Sequence, residues 1–199
     1  MTALKPTVFT LCLIPLGWLF YGASQGLLGP DPAEQIMHVT GEWSLRILIL
    51  TLLVSPLRQF SGWGWPLRLR RMLGLFVFFY ACVHLLTFAH FYIGWTPAIL
   101  LEEVIERPYI TVGALAWLLL IPLTATSTRR MQRLLRRNWR RLHLLVYPVA
   151  LLACLHLTWQ ARSDIGEALI YTLIVVALLG WRLRGYIPAR FGGAKPCSQ

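Results

Sequence analysis

The sequence has little of the charge that a water-soluble surface requires. Of its 199 residues only 14% are charged, whereas 57% are hydrophobic, and the mean hydropathy is +0.59. A soluble domain of this length would cover its single core with a far more polar surface. Several separate apolar runs, each of about 20 residues and long enough to cross a bilayer, instead indicate a membrane protein with several spans.

Acidic residues are also scarce, and the cysteines lack the spacing of a metal site. Eight Asp and Glu stand against 19 Lys and Arg, which gives a net charge of +11. The arginines lie between apolar runs rather than on one face, so membrane topology explains them better than a nucleic-acid surface, and no nucleic-acid partner is expected. The four cysteines form no CxxC pair; Cys12, Cys82 and Cys154 lie in apolar runs as small hydrophobic residues, and Cys197 lies in the tail.

The apolar runs predict an all-α fold, a single domain over residues 1–199 that forms a bundle of six transmembrane helices. The spans are expected at about 7–28, 43–58, 72–93, 109–125, 141–159 and 167–184. The first run is longer than the apolar part of a signal peptide, so we interpret it as a retained span. The second helix is expected to start at Thr40 or Gly41. No Asp or Glu is expected inside a span, which argues against a proton or cation transporter.

Basic residues alternate from one side of the predicted bundle to the other. The N-terminal segment, the 58–71 loop, the 129–141 loop and the tail hold one, four, seven and four Lys or Arg, whereas the three alternate loops hold none, one and one. The positive-inside rule therefore predicts that both termini are cytoplasmic. The third and fifth spans then run in the same direction, so their residues can be compared depth for depth.

Two histidines are predicted at similar depth in these two spans. His84 lies about twelve residues into the third span and His156 about fourteen into the fifth, in the half of the bilayer away from the cytoplasm. Two imidazoles that face each other across a helix bundle are what a six-coordinate haem iron needs, whereas zinc would require about four ligands. The alternative is that each histidine only bonds a backbone carbonyl in the core.

The fifth span carries a further histidine, His143, at its cytoplasmic end. The third span offers Arg70 and Arg71 at that depth and no second histidine. His143 is therefore a candidate ligand of a second haem, or a proton carrier or hydrogen-bond donor in a flavin or quinone pocket. On an ideal helix His143 and His156 would not share a face, so a kink at Pro148 is expected to reorient one of them.

The remaining histidines and the loop charges are interpreted as interfacial. His90 lies on a different face of the third span from His84, and His38 lies in an outer loop, where it is solvated or touches a partner. The arginines of the 129–141 loop set the topology and attract anionic headgroups, or alternatively bind a flavin phosphate or an acidic electron donor. Three glutamates on the other side form a solvated helix face or a docking patch: Glu102, Glu103 and Glu106.

Six segments of the chain carry a resemblance to a known family. They are DPAEQIMHVTG, RRMLGL, the HLLTFA around His84, RPYITVGALAW, TSTRRMQRLLRRNWRRLHLLVY and the LHLTW around His156, and they are distributed in order along most of the chain. The chain resembles the MsrQ (YedZ) family, the haem-binding membrane subunits of the bacterial MsrPQ methionine sulfoxide reductase system. That family is akin to the transmembrane domain of ferric reductases and NADPH oxidases.

The resemblance implies a haem b electron-transfer subunit of the bacterial inner membrane. It would take electrons from the quinone pool and pass them to a periplasmic molybdopterin enzyme that reduces methionine sulfoxide in oxidised proteins. The family's haem histidines correspond to His84, His143 and His156, and an FMN has been attributed to the family. Larger oxidase relatives carry two histidines on each of two helices, and the third span here lacks the cytoplasmic-side member, so either one or two haems are expected.

The sequence contains no GxGxxG motif, and only eighteen residues follow Trp181. No dinucleotide-binding domain is therefore expected, and electrons are expected from membrane quinol or from a separate cytosolic flavin reductase. Two other functions stay open. One is a stand-alone transmembrane ferric or flavin-linked reductase with a direct cytosolic donor, and the other is a non-redox membrane assembly factor whose histidines only tie helices together.

Overall fold

The computed structural model describes residues 4–161 and 165–184, and within these two ranges the chain is helical and contains no strand. Its α-helices are α1 (Leu4–Ser24), α2 (Pro32–Ser61), α3 (Arg70–Phe91), α4 (Pro97–Glu106), α5 (Pro108–Ala125), α6 (Arg129–Leu135), α7 (Arg137–Leu142), α8 (Val146–Gln160) and α9 (Ile165–Arg184). Short 3₁₀ segments lie at Trp65–Arg68 and His143–Leu145. The tail beyond residue 184, with Cys197, and Arg162 in the last predicted loop lie outside the described residues.

The prediction of an all-α membrane bundle with six spans is confirmed. Across the described residues, six helical stretches are long and apolar enough to cross a membrane, at 4–24, 32–61, 70–91, 108–125, 137–160 and 165–184. Large apolar side chains such as Phe20, Leu118 and Leu173 lie exposed on the outside of the bundle, as lipid-facing residues do. The protein is therefore a multi-pass membrane protein.

The predicted start of the second helix at Thr40 or Gly41 is wrong, because α2 begins two turns earlier at Pro32. The Asp31 side chain accepts a hydrogen bond from the Glu34 amide at 3.0 Å, which caps the first turn. Pro32 occupies the first helical position, where its missing N–H costs nothing, and Glu34 lies near the positive end of the helix dipole. These capping residues outweigh the low hydropathy of the segment.

The expectation that no carboxylate lies inside a span is also wrong. Glu42 lies in α2 and Glu167 in the first turn of α9, and both bind Arg46, at 2.8 and 3.1 Å. Arg46 also donates to the Tyr171 hydroxyl at 2.6 Å, so that one guanidinium joins α2 to α9. A charge inside a span is tolerated when it is paired in this way. The carboxylate content of the helices therefore does not exclude a transporter.

Two helical hairpins form the centre of the bundle. The α2–α3 and α5–α8 hairpins enclose a core whose largest fully buried side chains include Ile47, Leu52, Tyr80 and Val149. Since lipid is as apolar as leucine, close packing and hydrogen bonds rather than water exclusion hold such helices together. Tyr80 supplies one of these bonds, because its hydroxyl donates to the Cys12 carbonyl of α1 at 2.6 Å.

The two ends of the bundle differ in charge, and we name them accordingly. At the acidic end, α2 begins and α3 ends, and this end holds Asp31, Glu34, Glu42 and the three glutamates of α4. At the basic end, α2 ends and α3 begins, and this end holds the arginines of residues 58–71 and 129–141. The 129–141 segment is not an extended loop, since α6 and α7 occupy most of it.

Candidate functional site

The structure brings His84 and His156 together. His84 lies on α3 and His156 on α8, and both helices run from the basic to the acidic end. The centres of the two imidazole rings are 6.2 Å apart, and the ring planes are almost perpendicular, at 88°. The two histidines predicted at similar depth are therefore neighbours in the structure.

Each ring is anchored through the same nitrogen to a backbone carbonyl of a neighbouring helix. His84 Nδ1 lies 2.9 Å from the Met37 carbonyl of α2, and His156 Nδ1 lies 2.7 Å from the Tyr109 carbonyl of α5. A carbonyl oxygen only accepts, so each Nδ1 carries the proton and donates it. The lone pair of each neutral ring is then on Nε2, the nitrogen left free to ligate a metal.

A glycine makes room for each anchored ring. A Cβ added at Gly41 of α2 would lie 3.1 Å from His84 Nδ1, and one added at Gly113 of α5 would lie 2.7 Å from His156 Nδ1. The first separation is tighter than ordinary packing, and the second is one that real side chains do not show. Because glycine has no side chain, α2 can approach His84 closely at Gly41, and α5 can approach His156 closely at Gly113.

The sequence interpretation missed these supporting residues, although a repeat in the sequence indicates them. A spacing of 72 residues relates His84 to His156, and the same spacing relates Gly41 to Gly113. The residues that supply the carbonyls, Met37 and Tyr109, have this spacing too. Each of them lies 47 residues before the histidine that it binds. The histidines themselves lie in ACVHL at 81–85 and ACLHL at 153–157. The site is therefore built twice from one pattern, by α2–α3 and by α5–α8.

The spacing of the pair is one at which His84 and His156 would both be able to hold a single metal ion. A metal–imidazole bond of about 2.0 Å on each side, plus roughly 1.1 Å from each nitrogen to its ring centre, separates two ring centres by about 6 Å. The observed separation is 6.2 Å. Among the described residues no group of three or more His, Cys, Asp or Glu side chains is placed to hold a metal ion. The pair therefore suits a metal that brings its other ligands with it, as haem iron does.

His143 lies apart from this pair, at the basic end. Its ring stacks on Trp139 with the ring centres 4.0 Å apart, and its Nδ1 is 3.1 Å from the Trp139 carbonyl. The helix tightens to a 3₁₀ turn at His143–Leu145, just before Pro148. Pro148 has no N–H to donate to the Leu144 carbonyl and its ring crowds that group, which is the reason for the distortion. The expected break near Pro148 is present, but it does not bring a second histidine to His143 within the described residues.

The other two histidines lie at the acidic end. His90 accepts a hydrogen bond from the Trp95 indole at 3.2 Å and is exposed. His38 is half exposed, and its Nε2 lies 3.9 Å from the Glu34 carboxylate. Neither ring is part of the His84–His156 contact. The three glutamates predicted as a helix face lie on α4, where Glu103 pairs with Arg107 at 3.2 Å.

Known proteins match the chain over nearly its whole length. The family described as Ferric reductase like transmembrane component matches residues 40–154, more than half of the chain. The protein-methionine-sulfoxide reductase heme-binding subunit MsrQ of Xanthomonas campestris pv. campestris (strain B100) is 48% identical over 94% of this chain and 89% of its own length. The subunit of the same name from Polaromonas naphthalenivorans (strain CJ2) is 41% identical over 91% of this chain and 84% of its own. No solved structure matches.

The resemblance found in the sequence is confirmed by these matches. The ferric reductase-like match begins at Thr40 on α2 and ends at Cys154, so it includes Gly41, His84 and Gly113 and stops two residues before His156. The MsrQ matches extend over 94% of the chain at 47–48% identity in two Xanthomonas species. The chain therefore belongs to the MsrQ family, within the larger group of ferric reductase-like transmembrane components.

Proposed function

We propose that the protein is the haem b-binding membrane subunit of a protein-methionine-sulfoxide reductase and carries electrons to a catalytic partner. The observation that carries this proposal is the His84–His156 pair, with ring centres 6.2 Å apart and each Nδ1 bonded to a carbonyl. The names of its relatives support it, since they are described as heme-binding subunits of that reductase. Haem, when bound, supplies a centre that takes up and releases one electron at a time.

The protein's own residues hold and tune such a centre. The Met37 and Tyr109 carbonyls fix the tautomer and the orientation of the two rings, and they make each imidazole a stronger donor to the iron. His84 and His156 would hold the haem from both sides and leave no room for a substrate at the iron, so the group would supply electron transfer rather than chemistry on a bound molecule. The reaction with methionine sulfoxide then takes place on the partner.

The charge distribution supports an orientation for this transfer. With the basic end in the cytoplasm, as the positive-inside rule favours, the histidine pair lies in the outer half of the bacterial inner membrane. We propose that quinol from the membrane pool is the donor and that a periplasmic molybdopterin enzyme is the acceptor. The alternative route into the chain starts from a cytosolic flavin reductase, with FMN beside His143 as a relay or with His143 as a ligand of a second haem.

Haem content tests the assignment of the ligands. Protein purified after haem-replete expression is expected to show a low-spin α-band in the reduced-minus-oxidised spectrum. His84→Ala and His156→Ala should each abolish that band and lower the haem bound per polypeptide, since one imidazole cannot complete the six-coordinate site. His90→Ala, in the exposed histidine six residues further along α3, is the matched control and should leave both readouts unchanged. A wild-type protein without colour would indicate an assembly factor instead.

The direction of electron flow is tested separately with the coloured protein. A quinol analogue should reduce the haem, and the purified periplasmic reductase with a methionine sulfoxide substrate should reoxidise it. A stand-alone ferric or flavin-linked reductase would behave differently, because its turnover would depend on a cytosolic donor and would not change when the periplasmic partner is added.

A further inference from the structure

Two arginines join α2 and α9, one at each end of the bundle, and they differ in how their charge is balanced. Arg46, near the acidic end, has two carboxylates within 3.1 Å. Arg182, near the basic end, has only neutral partners: the Tyr147 hydroxyl at 2.7 Å, the Ser55 hydroxyl at 2.8 Å and the Leu52 carbonyl at 3.1 Å. Its Nε is buried and has no acceptor among the described residues. Arg182 is therefore a charged group with unfilled hydrogen-bonding capacity.

A second arginine adds to this positive charge. Arg70, the first residue of α3, lies close enough to Arg182 for the two charges to repel, and its charge also reaches Tyr147 and His143. Arg70 is only partly exposed, and its side chain makes no hydrogen bond within the described residues. The uncapped amides at the start of α3 present further positive charge at the same place. Two partly buried like charges are costly unless an anion lies between or beside them.

No side-chain carboxylate among the described residues lies where it could be that anion. The seven Asp and Glu of the described residues lie at residues 31–42, 102–106 and 167, which are at or near the acidic end. The basic end has no acidic side chain anywhere in the sequence between residues 43 and 101 or between 107 and 163. Within residues 4–161 and 165–184, therefore, no side chain supplies the counter-charge, which leaves a bound anion as its source.

A cavity beside Arg182 has room for part of such a ligand. It has a volume of about 280 Å³ and is lined by Ser55, Arg58, Gln59 and Leu67. Ser55 is shared, since its hydroxyl also accepts the hydrogen bond from Arg182. The cavity therefore adjoins the unbalanced arginine, and Arg58 gives it a further cation.

We propose that Arg70, Arg182 and the cavity beside Ser55 form a binding site for a phosphate group at the basic end of the membrane bundle. Guanidinium groups suit a phosphate because its several oxygens accept paired N–H donors and its negative charge balances two cations. The group belongs to an anionic phospholipid headgroup or to a soluble phosphate monoester. The site is separate from the histidine pair, and it does not depend on the proposed electron transfer.

The test measures the thermal unfolding of the full chain in a neutral detergent by tryptophan fluorescence. Sodium phosphate is compared with sodium chloride at equal ionic strength, and nanodiscs of phosphatidylglycerol are compared with nanodiscs of phosphatidylcholine. Saturation of the site is expected to raise Tm by roughly 5 °C. A response to inorganic phosphate identifies a soluble monoester as the ligand class, whereas a response to phosphatidylglycerol alone identifies a lipid headgroup.

Variants show whether the response belongs to this site. Arg70→Gln and Arg182→Gln should remove most of the rise in Tm, and Arg70→Gln should also raise the Tm measured without anion, because it relieves repulsion without breaking a hydrogen bond. Arg68→Gln, an exposed arginine two residues before Arg70, is the matched control and should respond as the wild type does. The proposal is overturned if neither probe raises Tm or if Arg68→Gln loses the response equally. The His84→Ala protein, which is expected to lack haem, should show the same rise in Tm with the anion. That result would show that the anion response does not require haem.

Discussion

The α2–α3 hairpin and the α5–α8 hairpin use the same pattern at one end and differ at the other. Near the acidic end, each provides a carbonyl, a glycine and a histidine, and each element is displaced by 72 residues from its counterpart. At the basic end the correspondence fails, because Arg71 of the first hairpin occupies the position of His143 in the second. The repeat therefore accounts for a symmetrical pair of histidines at one end of the bundle and gives no such pair at the other.

Within the shared pattern, the second hairpin holds its histidine more tightly. The hydrogen bond to the carbonyl is 2.7 Å for His156 and 2.9 Å for His84. The space beside each glycine is also smaller in the second hairpin. A Cβ added at Gly113 would lie 2.7 Å from His156 Nδ1, whereas one added at Gly41 would lie 3.1 Å from His84 Nδ1. This inequality predicts that matched substitutions in the two hairpins will have unequal effects.

The largest effect is expected from Gly113→Ala. Its methyl group would lie 2.7 Å from His156 Nδ1 and 2.8 Å from Cε1, so either the ring or helix α5 must move. Alanine is a better helix former than glycine, by about 1 kcal/mol, so the fold itself should not be weakened. We expect the variant to lose most of its bound haem and its low-spin signal while it expresses normally. Gly74→Ala, where a Cβ meets nothing within 4 Å, should bind haem as the wild type does.

A smaller effect is expected from Gly41→Ala. The added methyl group would lie 3.1 Å from His84 Nδ1, a distance that a shift of a few tenths of an ångström relieves. Haem should remain bound, with a changed reduction potential or a changed low-spin electron paramagnetic resonance spectrum, because the ring is reoriented against the Met37 carbonyl. Haem quantification of both glycine variants, with potentiometric titration of Gly41→Ala, tests whether Gly113→Ala has the larger effect. Equal loss of haem in the two variants would contradict the inequality between the hairpins.

The repeat shows how much of the site was predictable from the sequence. The spans were predictable because a membrane helix is marked by length and hydropathy, and the histidine pair because two spans of the same direction can be aligned by depth. The glycines were also within reach, since ACVHL and ACLHL fix a 72-residue offset that relates Gly41 to Gly113. The carbonyl anchors were not, because they depend on how closely two helices pack, which the side-chain pattern does not specify.

The errors in the sequence interpretation have one physical cause. A hydropathy pattern marks the apolar part of a helix, but α2 continues for two polar turns up to the cap at Asp31. Glu42 lies one residue before the apolar run predicted as the span, yet it is part of the same helix, and its charge is accommodated by Arg46. The pairing between helices is not visible in the sequence. Arg46 of α2 binds Glu167 of α9, which lies more than a hundred residues further along the chain.

A moderate effect on stability is expected when the balanced arginine is removed. Arg46→Leu leaves Glu42 and Glu167 without their shared cation and breaks the bond to Tyr171. Because all three charged side chains are partly exposed, we expect a loss of only about 1–2 kcal/mol, seen as a lower Tm of the purified protein. The triple variant with Glu42→Gln and Glu167→Gln should recover part of it, since it no longer leaves two carboxylates uncompensated. A triple variant no more stable than Arg46→Leu would show that the charges do not matter.

The smallest effect on the histidine pair is expected from a change at the other end of the bundle. His143 stacks on Trp139 and lies beside Arg70, and it makes no contact with His84 or His156. His143→Ala should therefore leave the low-spin spectrum of the pair unchanged, while any cofactor at the basic end is lost or altered. Haem quantification separates the cases, because a fall in haem per polypeptide with the low-spin band retained places a second haem at His143. A change in the low-spin band itself would show that the two ends act as one site and that the comparison between them is wrong.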